Sequence, residues 1–390
     1  MATHSEPSGA VVIGGLGMVA SLGLDAATVC AAARAGLMRS RTLENYRLRS
    51  AVEGDEEPVI GHPVTMLTRG FEGRARQMRL LQGALADLLM QTPQVDWQAE
   101  PHKFYIAFPD PARIGRGAEL IADESARRSH SERLARSDES ESPPETSPAS
   151  AAESLMQRAA ELARWPATPV IAFSRSAGKT AALEAIQAAI ADLASGVTTL
   201  AVVIAADSLL DEETLNWLHM CGRLKCDAAP AGLRPGEAGV ALMLCSRASA
   251  YASSGCAQIQ AMAFAEDAHD FLSGRTPVGE GLAEVVGRLW AGSEHPIPWI
   301  VSDQNGEYYR AADWGFAAVR LRAQEAAFAS PVLWYPAASV GDTGAASALV
   351  GICYAERAWR RGYAPGPLAL IAASDDESGR GALALCNVGA

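Results

Sequence analysis

The sequence predicts a layered α/β fold, in which helices lie between two sheets and the chain consists of two similar halves. Apolar stretches rich in Val, Ile and Ala alternate with Ala-rich stretches of helical spacing. In each half, an Ala-rich helix ends at a glycine and is followed by two apolar strands, which indicates an internal duplication. Because 49% of the 390 residues are hydrophobic, the chain can bury the core that this fold requires.

The N-terminal half, placed at residues 1–250, begins with the predicted strand "AVVIGGL". A helix follows, with Asp25 as its N-cap and Gly36 as its stop. "RARQMRLLQGALADLLMQ" has helical apolar spacing, and "KFYIAFPD" and "PVIAFS" are typical of strands. The long helix "KTAALEAIQAAIADLAS" ends at Gly196, and the apolar strands "TLAVVIAADS" and "GVALML" complete this half.

The C-terminal half, placed at residues 251–390, repeats this order. "CAQIQAMAFA", "PWIVSD" and "PVLWYPA" predict three strands. The helix "TGAASALVGICYAERAWRR" then ends at Gly362, and "LALIAASD" and "GALALCN" predict the last two strands. Arg357, Arg360 and Arg361 lie at the end of this helix, where a solvated face that complements the helix C-terminus is expected.

A polar segment interrupts the first half. We place an insertion at about residues 112–154, and its stretch 124–153 contains "SDESESPPETSPASAAE". Ser, Glu and Pro at this density cannot bury a core, so a disordered insertion is predicted whose deletion leaves folding intact. A phosphorylated or partner-binding segment is the alternative to a plain solvated loop.

Composition disfavours several function classes. The formal net charge of −12 disfavours binding to nucleic acid or anionic lipid. No apolar run reaches the roughly 18 residues of a membrane-spanning helix, and "MATHSEPSG" lacks the features of a signal peptide, so we expect a cytoplasmic protein. The cysteines are expected to be free thiols. No metal and no cofactor is predicted, since metal-ligand spacing is absent and Ala20 replaces the last glycine of a dinucleotide-binding motif.

Three stretches resemble β-ketoacyl synthases, also called 3-oxoacyl-ACP synthases. They are "VVIGGLGMVASLGLDAATVCAAARAG", "ADSLLDEETLNWLHMCGRLKCDAAPAGLRPGEAGVALML" with its specific "RPGEAG" turn, and "SVGDTGAASALVG". The resemblance implies the thiolase fold, with two pseudo-symmetric halves in α/β/α/β/α layers, and a homodimer. It also implies a decarboxylating Claisen condensation, in which a cysteine carries the acyl group and two histidines stabilise the enolate, with a lysine in support.

The positions that carry this chemistry in the family hold other residues here. Counted without gaps from the end of the long helix, the cysteine position falls on Lys179. The first histidine falls on Gln304, or on Asn305 after a one-residue slip. Asp342 stands at the second histidine and Ala337 at the lysine. We therefore interpret these four positions as a vestigial pocket with no assigned catalytic residue.

The neighbours of these positions are polar. Ser176 precedes Lys179, and Asp303 and Glu307 flank the predicted histidine position. The family's "Gly-Phe-Gly-Gly" gate is replaced by "SDDESGRG". For Asp342, three roles remain open: a helix N-cap, a partner for Lys179, or a general base in other chemistry. We predict a charge-paired cluster of Lys179, Asp342 and Asp303 in the pocket.

Two classes of function follow. The first is a catalytically defective synthase-like protein that serves as a scaffold, adaptor or partner subunit, including a partner of an active ketosynthase in the manner of a chain-length factor. The second is an acyltransferase or 3-oxoacyl-ACP synthase-type enzyme with a site rebuilt from Ser176, Lys179 or Asp303. The expected partners are a second copy of the chain and an acyl carrier protein, a ketosynthase or a secretion-related protein, with no nucleic acid or membrane.

Overall fold

The computed structural model describes residues 10–49, 56–141, 148–254, 257–291, 297–324, 328 and 331–388. Its strands are β1 (Val11–Ala20), β2 (Arg41–Arg49), β3 (Glu56–Gly61), β4 (His102–Pro109), β5 (Ile171–Ala177), β6 (Leu200–Ser208), β7 (Glu237–Ser246), β8 (Ala257–Glu266), β9 (Trp299–Ser302), β10 (Val332–Trp334), β11 (Leu368–Ser374) and β12 (Gly379–Asn387). Its α-helices are α1 (Ala26–Arg34), α2 (Thr65–Thr68), α3 (Gly73–Gln91), α4 (Glu124–Glu141), α5 (Pro148–Ala163), α6 (Ala181–Ala194), α7 (Glu212–Met220), α8 (Glu280–Ala291), α9 (Tyr308–Gln324), α10 (Ala337–Val340) and α11 (Ser347–Arg360).

The large sheet consists of two five-stranded sets with the same topology. Its order is β10-β9-β11-β12-β8-β1-β7-β6-β4-β5, and β2 and β3 form a separate hairpin. When the strands of each set are numbered in chain order and counted outward from the middle of the sheet, both sets have the order first, fifth, fourth, second, third. In both sets the first two neighbouring pairs of strands are antiparallel and the last two pairs are parallel. This identity confirms the two pseudo-symmetric halves.

The two sets were expected as separate sheets, but they meet edge to edge. β1 and β8 pair antiparallel, with Val11 opposite Ile259 and Val12 opposite Gln258. Each set keeps its own faces on either side of this short junction, so the layered order of the fold is preserved.

The helices cover both faces of each set. In β6, Ala201 and Val203 belong to the core around α6 and α11, whereas Val202 and Ile204 belong to the core under α3 and α5. The second set is covered on its outer face by α8 and α9. These five layers confirm the predicted α/β/α/β/α architecture, and β6 is buried on both faces as its apolar sequence indicates.

The predicted ends of the helices also agree with the structure. Asp25 Oδ1 accepts a hydrogen bond from Thr28 N at 2.7 Å and caps α1. Gly36, Gly196 and Gly362 follow α1, α6 and α11 with φ of 71°, 73° and 68°. A left-handed residue is the usual end of an α-helix, and glycine adopts it without a steric penalty.

The prediction of a disordered insertion is wrong for residues 124–141 and 148–153, which lie in α4 and α5; residues 142–147 lie outside the described residues. His130 of α4 is buried, with Nε2 2.7 Å from the carbonyl oxygen of Ile114. Ala152 and Met156 of α5 are buried in the core that α3 shares. Composition missed this because the apolar side chains lie on one face of α5 and continue past residue 153.

Two further expectations can be compared with the structure. Cys30, Cys245 and Cys353 are buried free thiols, and Cys221, Cys226 and Cys386 are free and partly exposed; Cys256 and the N-terminal residues 1–9 lie outside the described part of the chain. In that described part, no helix combines the length and the apolar character that crossing a membrane requires.

Candidate functional site

The start of α6 is positioned by an acidic turn from the other half of the chain. Asp375 follows β11, and its carboxylate accepts hydrogen bonds from Thr180 N at 2.9 Å and from Thr180 Oγ1 at 2.5 Å. Gly178 leaves the space that this carboxylate occupies, because a Cβ there would overlap it. The contact fixes the loop that presents Lys179.

Asp342 is held in a turn before α11. Gly341 has φ 76°, and Asp342 N donates to the carbonyl oxygen of Arg234 at 2.8 Å, while Gly236 N donates to the carbonyl oxygen of Asp342 at 2.9 Å. The "RPGEAG" turn therefore packs directly against the "SVGDTG" turn. Asp342 Oδ1 also accepts from Gly344 N at 2.9 Å, a local hydrogen bond that closes the turn before α11.

The second oxygen of Asp342 brings three separate sequence positions together. Lys179 Nζ lies 2.9 Å from Asp342 Oδ2, and Asn305 Nδ2 donates to the same oxygen at 2.5 Å. Lys179 and Asp342 are 6% and 3% exposed, so this is a buried ion pair. Asp342 is thus the partner of Lys179, and its alternative role as a helix N-cap is wrong, because the N-cap residue of α11 is Ala346. Of the two candidates for the first histidine position, Asn305 and not Gln304 faces the pair.

Asp303 joins the pair through an arginine. Its Oδ2 lies 4.0 Å from Lys179 Nζ and accepts from Arg310 Nη1 at 3.2 Å. Arg310 Nη1 also donates to the carbonyl oxygen of Ser374, and Arg310 Nη2 donates to Asp376 Oδ1 at 2.7 Å. The predicted cluster of Lys179, Asp342 and Asp303 is therefore present and extends further than predicted.

A second arginine closes the network. Arg223 donates to both oxygens of Glu307 at 2.7 and 3.0 Å and to both oxygens of Asp376 at 2.7 and 3.0 Å. Such bidentate pairs are the strongest ion pairs in proteins. We call the whole set the ion-pair cluster; it comprises Lys179, Arg223, Asp303, Asn305, Glu307, Arg310, Asp342 and Asp376.

The cations of the cluster lower the pKa of two of its carboxylates, Asp342 and Asp376. Burial opposes ionisation of Asp342, but the charges of Lys179 and Arg310 and the hydrogen bond from Asn305 outweigh it and lower the pKa to about 2. Burial likewise opposes ionisation of Asp376, and Arg223 and Arg310 hold its pKa well below the usual range. Both acids therefore remain charged at neutral pH.

A small cleft lies over the cluster. Its volume is about 80 Å³, and its walls include Lys179, Asp207, Arg310, Asp342 and Asp376. Small-molecule sites typically have about 300–1,000 Å³, so the cleft has room for a few waters but not for an acyl chain. The described residues that line it include neither cysteine nor histidine. The cleft thus offers paired charges and no thiol or imidazole.

Three residues predicted from the sequence lie outside the cluster. Ser176 is on β5, with an exposed side chain. Ala337 begins α10 and lines a separate cavity of about 10 Å³ that Asp303 also touches. Gln304 Nε2 is buried and has no hydrogen-bond partner among the described residues.

Sequence analysis did not single out Arg223, Arg310 or Asp376. The signal for Asp376 was present, since two adjacent acids in "SDDESGRG" require cations once that turn is buried. The two arginines carry no such signal in their local sequence. Lys179 does indicate the site, because it precedes a helix whose first residues, Ala181 and Ala182, are fully buried.

Comparison with known proteins supports the fold. No protein-family model and no curated protein matches the chain. A solved complex of a type II polyketide synthase acyl-carrier protein with its ketosynthase matches with 13% identity and a TM-score of 0.71, over 98% of this chain and 100% of that chain. The ishigamide ketosynthase/chain length factor matches with 16% identity and a TM-score of 0.69, over 98% and 100%.

A third similar structure is the oxazolomycin ketosynthase domain of Streptomyces albus JA3453. It is 13% identical, covers 97% of this chain and 74% of that chain, and has a TM-score of 0.67. Identities at this level establish the architecture and leave the chemistry to be argued from the site. The chain therefore has the thiolase fold of ketosynthases, as the three resembling stretches predicted.

Proposed function

We propose that this protein is a ketosynthase-like subunit that does not condense acyl groups and acts as a structural partner in a dimer. The observation that carries the proposal is the ion pair of Lys179 and Asp342, which Asn305 completes. These residues occupy the positions that resemblance assigns to the nucleophile and the two histidines. A thioester requires a thiol at the first position, and the enolate requires two neutral donors at the others.

The charges of the cluster argue against a rebuilt enzyme. The Lys179 amine donates to Asp342 at 2.9 Å, so an attack on a thioester would first have to break this buried ion pair. Asp342, with a pKa of about 2, is a weak general base because efficient bases have a pKa near the working pH. Ser176 lies on β5 with an exposed side chain and is not part of the cluster.

The surface that supports a partner is the outer edge of β5. β5 ends the large sheet, and no strand of the described residues pairs with its free side. Ala172, Ser174 and Ser176 are exposed, as is Val170 just before the strand, with 55% of its surface accessible. An open edge without proline is a template for pairing with another strand. We propose that β5 pairs with β5 of a second copy.

The similar structures favour this kind of partner. One is described as a ketosynthase/chain length factor, and another as a ketosynthase in complex with an acyl-carrier protein. A second ketosynthase-like chain is thus the partner class that the proposal names. A heterodimer with an active ketosynthase would use the same β5 edge.

Light scattering on the purified protein tests the proposal. The wild-type protein is expected to have twice the mass of one chain at micromolar concentration. Ser174→Asp places an acid on each side of the symmetric β5 junction, where like charges repel, and should give a monomer. Ser131→Asp, on the exposed face of α4, is the matched control and should remain a dimer. A monomeric wild-type protein, or a dimer that Ser174→Asp leaves intact, would refute the β5 dimer.

A further inference from the structure

A second pocket lies at the opposite edge of the large sheet from β5. It is bounded by α1, β10, α10 and α11, and its volume is about 490 Å³, within the range of about 300–1,000 Å³ that is typical of small-molecule sites. It shares no lining residue with the cleft over the ion-pair cluster. Its ligand is therefore independent of the condensation site.

The walls of this pocket are aromatic. Trp334 and Tyr363 stack with ring centroids 6.1 Å apart and an interplanar angle of 25°. Trp299, which is fully buried, supports Trp334 from behind with its ring centroid 4.5 Å away. Tyr354 also lines the pocket and is held in α11. A rigid aromatic wall favours a planar ring that stacks on it.

The rim of the pocket carries positive charge. The Arg34 guanidinium lies 5.0 Å from the centroid of the Tyr363 ring. Arg34 is exposed and is the arginine that lines the pocket, so its charge stands at the rim beside the aromatic wall. A guanidinium group at this place favours an anion that can accept its hydrogen bonds.

The inner end of the pocket holds polar groups. Tyr354 Oη is buried, and among the described residues it has no hydrogen-bond partner of good geometry, although the Ser339 hydroxyl lies near enough to lower the pKa of Tyr354 against the larger opposing effect of burial. Ser339 lines the pocket as well and is half-buried. A polar atom of a ligand at Ser339 would complete the hydrogen bonding of this end.

We propose that this pocket binds a planar aromatic anion of one or two rings, with its ring on Trp334 and Tyr363 and its negative group at the arginine rim. A carboxylate and a phosphate ester share this chemistry, since both accept paired hydrogen bonds from a guanidinium group.

Isothermal titration with 2-naphthoate and 2-naphthyl phosphate tests the proposal, with neutral 2-naphthamide as the comparison ligand. At least one anion should bind to one site, about tenfold more tightly than the amide, as expected for charge-assisted hydrogen bonds. The tighter of the two anions identifies a carboxylate or a phosphate ester as the natural group. Arg34→Gln should weaken binding of that anion about tenfold, whereas Arg74→Gln, an exposed arginine of α3, should leave it within about twofold.

Stacking is tested separately. Trp334→Leu should weaken binding of both the anion and the amide by about tenfold, because both ligands have the same ring system and lose the same stacking on the indole. Stacking of nucleic-acid bases on aromatic side chains contributes energies of this size. Equal affinity for the anions and the amide, an unchanged affinity in Arg34→Gln, or an absence of saturable binding up to millimolar ligand would each overturn the proposal. Arg34 is on the surface, so Arg34→Gln is expected to fold normally. It therefore tests the proposal even if Trp334→Leu lowers the stability of the protein.

Discussion

Lys179 and Asp342 illustrate how a buried charge depends on its partner. A charge transferred from water into a protein interior loses several kcal/mol of solvation unless an opposite charge compensates it. Here the two charged atoms are 2.9 Å apart, and the other polar atoms of both residues also have partners in Asn305, Asp303 and the Gly344 amide. Each charge can therefore be buried because the other compensates it. The double change should lower the free energy of unfolding by less than the sum of the two single changes.

The first prediction is a double-mutant cycle in urea. Lys179→Ala and Asp342→Ala should each lower the free energy of unfolding by about 3–5 kcal/mol, because each leaves one buried charge alone. The double variant should lose clearly less than the sum, by about 0.5–3 kcal/mol. Arg158→Ala, which breaks the exposed pair with Glu161, is the control and should cost below about 1 kcal/mol. Additive losses would mean that Lys179 and Asp342 do not interact.

The second prediction concerns pH. The pKa of Asp342 is about 2 in the folded protein and 3.8 as an isolated group, so folding favours its ionised form. Its contribution to stability is complete above pH 3.8 and declines as the pH falls towards 2. The stability difference between the wild type and Asp342→Asn should therefore shrink by about 1–2 kcal/mol from pH 5 to pH 2.5. A difference that stays constant over this range would contradict the ion pair.

Local sequence determined most elements but not the contacts that define the site. The sequence positions of Lys179 and Asp342 in the site could be predicted by counting residues from the neighbouring helices. The choice between Gln304 and Asn305 could not, because it depends on the backbone conformation of a loop. Arg223 pairs with Glu307 and Asp376 across 84 and 153 residues of sequence. Such partners depend on the packing of distant elements, which periodicity does not specify.

At the scale of elements, α5 shows where composition fails. The stretch 124–153 that precedes and includes its start is polar on average, but in α5 Ala152, Met156 and Ala159 lie on one face and pack against α3. Hydrophobicity averaged over both faces of the helix predicts a disordered segment, whereas the spacing of the apolar residues at intervals of three and four predicts a helix. The strands were easier to predict, because β6 and β7 are buried on both faces and are apolar over most of their length.

The third prediction follows for α5. Met156 is fully buried, so Met156→Ala should lower the free energy of unfolding by about 2–5 kcal/mol. Leu162 of the same helix is 36% exposed, and Leu162→Ala should cost clearly less than Met156→Ala. Thermal and urea unfolding of both variants provide the measurement. Equal and small losses of unfolding free energy in both variants would mean that α5 is a solvated segment that does not pack on the core.

At the scale of the whole molecule, the ion-pair cluster joins the two halves of a duplicated fold. Lys179 and Arg223 come from the first half, and Asp303, Glu307 and Asp376 come from the second. The loops that carry these residues meet between the two halves as a consequence of the fold. In this chain the place where they meet contains paired charges and a cleft of about 80 Å³. The central claim is that a ketosynthase-like fold is retained without its condensation chemistry.

That claim is tested most directly by incubating the purified protein with an acyl-carrier protein loaded with acyl or malonyl groups. Intact-protein mass spectrometry then detects any acyl group on the chain, and chromatography detects 3-ketoacyl product; an active ketosynthase serves as the positive control. We expect an unchanged protein mass and no 3-ketoacyl product above the level without protein, because the Lys179 amine is bound to the Asp342 carboxylate and the described residues that line the cleft offer no thiol. An acyl adduct on Lys179 or Ser176, or a 3-ketoacyl product, would contradict it.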